Sequence, residues 1–446
     1  MYLITNGKIF TRDEEEPFIE NGAIVVDGSV IQAVGLRSDL EKKFPDAHVI
    51  DAKGQLIMPA LINTHNHIYS TFARGLSIPN YSPDNFTDIL EGLWWTIDNH
   101  LTLEDTKYSA IASYIHCIEN GVTTIFDHHA SYAQIAGSLD VIGRVAKEFG
   151  IRSCLSYEIS DRHGEAKMQE AVKENIDFYH TASADPSNML RGLIGLHASF
   201  TLSDETLKYI AKHVPQEAGY HLHIAEDIAD VNDSLQKYHM RPVERFHQYG
   251  IIKKNSLGIH CVHVSDAELK IIQSQGMPLV HNPESNMGNA VGVPNSMKIY
   301  HTGILYGLGT DGYTQDMLES YKVANIIHKH EQRDAKVAWV EIPDMLFRQN
   351  ALITERHFDI KIGKIKAGYT ADIIFVDYDP ITPLDATTLN GHILFGMNGS
   401  LVTMTMANGR VLMQDRTLVD IDKRELLAQC KKQATSLWNR INKGEK

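Results

Sequence analysis

Some of the histidines in this chain are spaced as metal ligands often are. The chain contains 23 histidines, and one residue separates His65 from His67 in the segment LINTHNH. Residues i and i+2 of a strand point to the same side, so both imidazoles can reach one ion. A pair of this kind is weak evidence alone, because a buried histidine often makes only an ordinary hydrogen bond. The pair needs support from further ligands at the same place in the fold.

Eight short apolar runs each end on a polar residue that could bind a metal or move a proton. Helix-compatible segments lie between the runs, and strands alternating with helices predict βα units and a parallel sheet. Eight such units close a barrel, whose active site is built at the C-terminal ends of the strands. We therefore predict an α/β fold, a (β/α)8 TIM barrel. The runs are LINTHNH (61–67), TTIFDHH (123–129), IRSCLSYE (151–158), LIGLHASF (193–200), GYHLHIAE (219–226), SLGIHC (256–261), MPLVHNP (277–283) and ILYGLGTD (304–311).

Both ends of the chain are rich in strand signals. In residues 1 to 55, Asp27 and Gly28 lie between β-branched runs and predict a hairpin turn. Similar segments return at 371–379 and 401–415. We predict a small β-sandwich domain formed from both chain ends. Its parts would span 1–57 and 361–446, the latter with a closing helix over 422–442, and the barrel would span 58–360.

The composition limits the partners and the compartment. Lys and Arg number 42 against 56 Asp and Glu, so the net charge is 42 − 56 = −14. This charge argues against a nucleic-acid or anionic-membrane partner. No signal-peptide pattern opens the chain, and no apolar run reaches the about 20 residues that a bilayer needs. The four cysteines have no paired spacing, which favours a reduced compartment. We expect a cytoplasmic protein.

Two further residues fit the ligand set of a catalytic metal. His223 and Asp311 lie at the predicted ends of the fifth and eighth strands. With His65 and His67 they offer three nitrogens and one oxygen, a set typical of catalytic zinc or iron sites that keep room for water. The alternative is that the three histidines only make hydrogen bonds in the core. That alternative does not explain why they all lie at strand ends.

Several motifs resemble those of the amidohydrolase superfamily. They are MPALINTHNH (58–67), HIAE (223–226), HCVH (260–263), HNPESN (281–286) and LGTDG (308–312). More narrowly, they resemble the branch of cytosine deaminase, guanine deaminase and chlorohydrolase. The segments HNHIYSTFARGL and HNPESNMGNAVG resemble a group of aminohydrolases associated with selenium and purine metabolism. The resemblance covers nearly the whole chain and implies metal-dependent hydrolysis.

The resemblance assigns His65, His67, His223 and Asp311 to the metal. Binuclear relatives carry a carboxylated lysine at the end of the fourth strand, where this chain has His197. We therefore expect one divalent ion, zinc, with iron as the alternative. His197 becomes a substrate contact, or else a buried hydrogen-bonded histidine. Relatives are often dimers, so the resemblance implies a homodimer.

A catalytic scheme follows from the assigned ligands. A divalent metal lowers the pKa of bound water from about 15.7 toward about 7. Glu226 lies three residues after His223 and is predicted to carry the proton from water to a ring nitrogen and then to the departing amine. His260 and Asp311 would orient the hydroxide. A solvated carboxylate at a helix start is the alternative interpretation of Glu226.

The predicted substrate contacts are flat or guanidinium side chains. Tyr69, Arg74 and Trp94 follow the first run, and His129 closes the second. Aromatic and imidazole faces suit a planar heterocycle, and an arginine can read a ring carbonyl with paired donors. Trp94 and its neighbour Trp95 could equally pack the barrel flank, and the sequence does not choose between a substrate contact and a solvated strand end for Glu158.

Three functions remain open from the sequence. The favoured one is a hydrolytic deaminase that releases ammonia from a purine-like or related nitrogen heterocycle. The second is hydrolysis of another bond, to a chloride, an alkylamine or a cyclic amide, on the same scaffold. The third is a metal- or ligand-binding protein without turnover, against which Glu226 and His260 count because metal storage requires neither.

Overall fold

The strands form three sheets. The computed structural model describes residues 1–443. Within this range, sheets of nine, five and four strands are present. The strands are β1 (Tyr2–Phe10), β2 (Phe18–Asp27), β3 (Val30–Leu36), β4 (His48–Asp51), β5 (Leu56–Pro59), β6 (Leu61–Asn66), β7 (Val122–His129), β8 (Arg152–Tyr157), β9 (Leu190–Gly192), β10 (Ile194–Leu196), β11 (Tyr220–Ile224), β12 (Leu257–His260), β13 (Leu279–His281), β14 (Tyr306–Leu308), β15 (Ile373–Val376), β16 (Val402–Ala407), β17 (Arg410–Gln414) and β18 (Thr417–Leu418).

Two of the sheets are parallel and run in sequence order. Strands β6 to β9 form one, and β10 to β14 form the other. Isolated parallel bridges link the sheets at both edges, from Ile159 to Leu196 and from Asn66 to Asp311. Each of the eight predicted runs contains a strand, and β9 is an additional short one. The prediction of an α/β fold with parallel strands is confirmed.

The third sheet joins the two ends of the chain. Its order is β18-β17-β16-β15-β5-β1-β2-β3, with β4 paired to β1. The hairpin predicted at Asp27 and Gly28 connects β2 to β3, where Asp27 pairs with Val30. The junction of the two ends is the antiparallel pairing of β15 with β5. The chain thus enters and leaves the parallel sheets from one common sheet.

Helices lie between the parallel strands. They cover the strands on the outside, which explains why every residue of β7 is buried. In the part of the chain that the structure describes, no helix is long and apolar enough to cross a membrane. The helices are α1 (Arg37–Lys43), α2 (Phe86–Ile89), α3 (Trp95–Asp98), α4 (Leu103–Glu119), α5 (Ser138–Phe149), α6 (Gly164–Ser183), α7 (Asp204–His213), α8 (Ile228–Tyr238), α9 (Pro242–Gln248), α10 (Asp266–Gln275), α11 (Pro283–Gly288), α12 (Ser296–His301), α13 (Met317–Gln332), α14 (Glu341–Asp344), α15 (Asn350–His357), α16 (Leu389–Gly396) and α17 (Lys423–Lys443).

The C-terminal helix packs against the helical layer that covers the parallel sheets. The predicted closing helix corresponds to α17, which packs against α4. Trp438 in α17 donates to the carbonyl of Phe72 at 2.7 Å, beside the segment that follows β6. Helix α4 begins with a capping box in which Thr102 and Asp105 satisfy each other's backbone N–H groups. Residues 444–446, the end of the predicted C-terminal part, lie outside the described residues.

Candidate active site

Four predicted metal ligands come together at the C-terminal ends of the parallel strands. His65 lies in β6 and His67 directly follows it, while His223 lies in β11 and Asp311 comes three residues after β14. The Nε2 atom of His67 lies 3.1 Å from Oδ1 of Asp311, and Nε2 of His65 lies 3.9 Å from the same oxygen. His223 Nε2 lies 3.4 Å from His67 Nε2. Three imidazoles and one carboxylate therefore face a common point.

Backbone carbonyls fix the rings of His67 and His223. Nδ1 of His67 lies 2.6 Å from the carbonyl oxygen of His128, and Nδ1 of His223 lies 3.1 Å from that of His197. A carbonyl oxygen only accepts, so each Nδ1 carries the proton and donates it. When the rings are neutral, as they must be to bind a metal, each Nε2 has a free lone pair. The lone pairs of both histidines are directed at the centre.

A buried hydrogen-bond chain gives His65 the same orientation. Ser156 Oγ donates to the carbonyl of Asp127 at 3.0 Å, so its oxygen is left to accept from His221 Nδ1 at 3.2 Å. His221 Nε2 then accepts from His65 Nδ1 at 2.9 Å. The Nε2 atom of His65 consequently also offers its lone pair to the centre.

Asp311 is held as an ionised carboxylate. Ser285 Oγ donates to its Oδ2 at 2.7 Å. Burial by itself raises the pKa of Asp311, but the charge of His67 and its hydrogen bond outweigh burial and lower the pKa below its usual range. Burial likewise lowers the pKa of His67, yet the charge of Asp311 outweighs it and raises that pKa to about 9. The carboxylate thus attracts positive charge to this point.

Glu226 and His260 lie beside the four ligands. His260 Nε2 is 3.3 Å from Glu226 Oε2 and 3.5 Å from Asp311 Oδ2. Asn286 Oδ1 accepts from His260 Nδ1 at 2.8 Å, and Asn289 donates to Glu226 Oε1 at 3.2 Å. Burial, and then the charge of Asp311, raises the pKa of Glu226 well above its usual value. A buried glutamate with a raised pKa is suited to taking and returning a proton.

The cluster fits a divalent cation. Two overlapping triplets, one of His65, His67 and His223 and one of His65, His260 and Asp311, offer ligand atoms within 4.8 Å of one another. The Nε2 atoms of His65 and His260 are buried and have no hydrogen-bond partner. Buried nitrogens without partners are costly unless something else satisfies them. A cation at the shared centre would satisfy His65 Nε2, and the residues therefore support a divalent metal site.

Several strand ends turn through an unusual backbone conformation. Ala225, His260, Cys261 and Asp311 have positive φ angles between 44° and 69°. Such angles are rare for residues with a side chain and cost of order 1–3 kcal/mol each. These turns lie where β11, β12 and β14 end. They direct the polar side chains to the centre immediately after the strands.

The ligands lie at the base of a pocket of about 470 Å³, its open mouth included. Of the predicted substrate contacts, Tyr69, Trp94 and His197 line it. His197 Nδ1 lies 2.8 Å from Oγ1 of Thr201, which leaves its Nε2 for the pocket. Three flat rings therefore face the space above the ligands. The wall of the pocket includes Tyr69, Phe86, Trp94, Trp95, Glu158 and His197.

Two predicted contacts do not line this pocket. Arg74 lines a neighbouring cleft, which shares Trp94, Asn289 and Gly312 with the pocket. His129 is fully buried behind Tyr69, with the two rings 5.9 Å apart. Burial lowers the pKa of His129 to about 3, so this histidine is neutral. The structure places both side chains next to the pocket wall and not on its surface.

Three residues that shape the site had no role in the prediction from sequence. His221 was detectable, because His221 and His223 repeat the spacing of His65 and His67 within one strand. Nothing in the local sequence marks Asn289, which reaches Glu226 from the end of α11. The same is true of Arg162, whose carboxylate partners come from two separate segments.

Fold and site together define a metal-dependent hydrolase that acts on carbon–nitrogen bonds. Parallel strands carry three histidines and an aspartate to one point, with a glutamate beside them. Residues 56–412 match the profile of the amidohydrolase family. The chain belongs to the amidohydrolase family.

Relatives with assigned activities match over nearly their whole length. The chain is 28% identical over 447 residues to a 5'-deoxyadenosine deaminase of Methanosarcina mazei, covering 99% of both chains. It is 28% identical over 449 residues to a 5-methylthioadenosine/S-adenosylhomocysteine deaminase of Clostridium tetani, covering 98% of this chain and 99% of the relative. A solved adenosine deaminase from Xanthomonas campestris with bound zinc has a TM-score of 0.87 at 21% identity, with 98% of each chain covered.

Proposed function

We propose that this protein is a zinc-dependent aminohydrolase that releases ammonia from an aminopurine or its nucleoside. The observation that carries the proposal is the cluster of His65, His67, His223 and Asp311 beside Glu226. Relatives named as deaminases of adenosine derivatives support an adenine-type ring as the substrate. A related nitrogen heterocycle would use the same chemistry.

The proposed metal ligands are the three histidine Nε2 atoms and one oxygen of Asp311. Nitrogen ligands with one carboxylate suit zinc, with iron as the alternative. When bound, a divalent ion supplies hydroxide at neutral pH by lowering the pKa of its water to about 7. The hydrogen-bond acceptors behind the histidines, among them His221 Nε2, set the direction of each lone pair.

Glu226 is the proposed proton carrier. Its Oε1 is held by Asn289, so Oε2 is the oxygen that faces His260. From this position Glu226 takes one proton from the attacking water and gives it to a ring nitrogen. It then takes the second proton from the new hydroxyl group and gives it to the departing amine. His260 Nε2, within 3.5 Å of both carboxylates, orients the attacking oxygen. When this nitrogen is also protonated, it stabilises negative charge on that oxygen.

The pocket wall holds the ring. Tyr69, Trp94 and His197 offer flat faces and edges to a planar heterocycle. Thr201 Oγ1 donates to the carbonyl of Ala198, so His197 Nδ1 donates to Thr201, and Nε2 is left to accept one hydrogen bond from an N–H or O–H group of the substrate. The pocket therefore orients the carbon that bears the amine toward the metal ligands.

We also infer that the two parallel sheets form one closed (β/α)8 barrel. The bridges from Asn66 to Asp311 and from Ile159 to Leu196 support closure. The nine-stranded sheet supports a domain built from residues 1–57 and 361–446, which we propose is a β-sandwich beside a barrel of residues 58–360. A crystal structure with β6 and β14 apart would contradict closure.

Ammonia release tests the function. Zinc-loaded protein is incubated with aminopurines, adenine nucleosides, pterins, pyrimidines and triazines, and ammonia, chloride and alkylamines are measured. We expect ammonia from at least one purine or purine nucleoside. Release of chloride or alkylamine alone, or no turnover of any compound, would contradict the proposal.

Glu226→Gln separates proton transfer from metal binding. The amide has the size of the carboxylate but cannot carry the proton, so turnover should fall by at least about 100-fold with the zinc content unchanged. The matched control is Glu165→Gln, the same change at an exposed position in α6, which should keep full turnover. Retained turnover in Glu226→Gln would reject the role of Glu226.

A further inference from the structure

A buried ion cluster lies behind one wall of the pocket. Arg162 Nη2 donates to Asp98 Oδ2 at 2.8 Å and to Glu158 Oε1 at 2.5 Å. The guanidinium also lies over the rings of Trp95 and Tyr132, 4.4 Å and 4.6 Å from their centroids. Two carboxylates share one cation, so the cluster has a formal excess of one negative charge when both are ionised.

Glu158 is the member of the cluster that reaches the pocket. It follows β8 and lines the pocket, and its side chain is 5% exposed. Arg162 holds Oε1, whereas Oε2 accepts no hydrogen bond from the residues that the structure describes. Burial by itself raises the pKa of Glu158, but the charges of His197 and Arg162 outweigh it and lower the pKa. An ionised carboxylate with one free oxygen thus faces the substrate space.

The described lining of the pocket has no free lysine or arginine to balance an anionic substrate group beside Glu158. Glu158, Glu226 and Asp311 line it, and no lysine or arginine is among its described lining residues. Arg162 lies behind Trp95 and is already paired with two carboxylates. A substrate carboxylate or phosphate would therefore be desolvated beside Glu158 without a cation of the protein to receive it.

We propose that Glu158 determines specificity, by accepting a hydrogen bond from a hydroxyl or amino group of the substrate and by rejecting substrates with a carboxylate or phosphate. Strand β7 separates β8 from β6, and β9 and β10 separate it from β11. Glu158 therefore contacts a part of the substrate away from the reacting carbon. Arg162 is a positioning residue, because it fixes the carboxylate and leaves Oε2 free. This inference rests on the proposed function and names its substrate class: neutral or cationic nucleosides.

Glu158→Gln reverses the hydrogen-bonding character of this wall. The amide oxygen can still accept from Arg162, and the amide nitrogen then presents donors where Oε2 presented an acceptor. The substitution removes one negative charge without changing the size of the side chain. Ligands that donate a hydrogen bond to this wall should bind more weakly to the variant, and ligands that carry an anionic group should bind more tightly.

The experiment uses three ligands that share the same adenine and ribose and differ only in the group at the 5' position. They are 5'-amino-5'-deoxyadenosine, adenosine and adenosine-5'-carboxylic acid, whose 5' groups are cationic, neutral and anionic. Dissociation constants are measured by calorimetry on zinc-loaded protein in a Glu226→Gln background, where turnover does not interfere. We expect the amine to bind most tightly and the carboxylate most weakly, by about 10-fold or more between them.

Glu158→Gln should reduce the gap between the amine and the carboxylate by about 10-fold. The surface control Glu165→Gln should leave it unchanged, and Glu158→Asp, which keeps the charge, should keep the order of the three ligands. Thermal unfolding checks that each variant is folded, and the order in Glu158→Asp still tests the inference if the amide variant fails to fold.

Three results would overturn the inference. They are equal binding of the carboxylate and the amine, a gap that Glu158→Gln does not change, and no binding of any of the three ligands. The ammonia screen on the protein with Glu226 intact reports separately on the proposed function. Loss of ammonia release with the ligand order preserved would therefore reject deamination and leave the role of Glu158 standing.

Discussion

His65 Nδ1 lies 2.9 Å from His221 Nε2, and both side chains are fully buried. His221 is in turn fixed by Ser156 at 3.2 Å. The chain holds His65 in the tautomer whose Nε2 lone pair faces the other ligands. One residue that never reaches the centre thus determines whether His65 can act as a ligand.

His221→Gln should weaken metal binding. The amide cannot hold both Ser156 and His65 in the same geometry, so the ring of His65 loses its fixed orientation. We expect metal affinity to fall by about 10- to 100-fold, measured by competition with a chelator. His213→Gln, at an exposed position in α7, is the control. Equal affinity of His221→Gln and the unmodified protein would contradict the role of His221.

Gly309→Ala should disturb the contact between β14 and β6. A Cβ atom at Gly309 would lie 2.8 Å from both the N and O atoms of His65 and 2.6 Å from Asn282 Oδ1. The backbone around His65 would have to shift, at a cost of about 1–3 kcal/mol. We expect a lower urea midpoint together with weaker metal binding.

The control for that change is Gly391→Ala in α16, where an added Cβ meets no atom within 4 Å. Alanine favours a helix over glycine by about 1 kcal/mol, so this variant should be as stable as the unmodified protein or slightly more stable. A Gly309→Ala protein with normal metal affinity would show that the close approach to His65 is not required.

Arg152→Met should destabilise the connection between the parallel sheets and the nine-stranded sheet. Arg152 in β8 donates to Asp372 at 3.0 Å, and both side chains are 1% exposed. Removing the guanidinium leaves the carboxylate buried without its cation, which costs about 3–5 kcal/mol. Denaturant unfolding should show this loss.

A second substitution tests the electrostatic cause. Adding Asp372→Asn to Arg152→Met removes the unpaired charge, so the double variant should recover part of the lost stability. Arg410→Met, which removes an exposed arginine, should change stability by no more than about 0.5 kcal/mol. A double variant less stable than Arg152→Met would indicate that packing, and not the stranded charge, accounts for the loss.

Metal removal should lower the unfolding temperature. A ligand that binds only the folded state stabilises it by about 2.7 kcal/mol at a free concentration 100 times its dissociation constant. Calorimetry of chelator-treated protein, before and after zinc addition, should show the midpoint fall and return. His223→Ala, which removes one proposed ligand, should show a much smaller response. An identical zinc response in that variant would place the ion elsewhere.

The strands and the polar residues at their ends were predictable from local sequence. Each apolar run is long enough for one buried strand, and residues at i and i+2 share one side, as His65 and His67 do. The helix predicted over 422–442 corresponds to α17. These features depend on residues a few positions apart, and so the sequence carries them directly.

The wall of the pocket depends on contacts between distant segments. Arg162 joins Glu158 to Asp98, and His129 and Arg74 lie beside the pocket without lining it. Which side chain reaches the surface is determined by the packing of its neighbours, and local patterns do not describe that packing. Tyr69 occupies the position in front of His129 for this reason.

The sequence by itself determined the family, the parallel strands and the identity of the polar groups that end them. Only the tertiary structure determined which nitrogen of each histidine faces the centre, since that depends on acceptors such as the carbonyl of His128 and on His221. It also determined that Glu158 keeps one free oxygen. The physical reason is that the sequence states the type of each side chain. Which of its lone pairs remain free depends on the groups that pack against it in the folded protein.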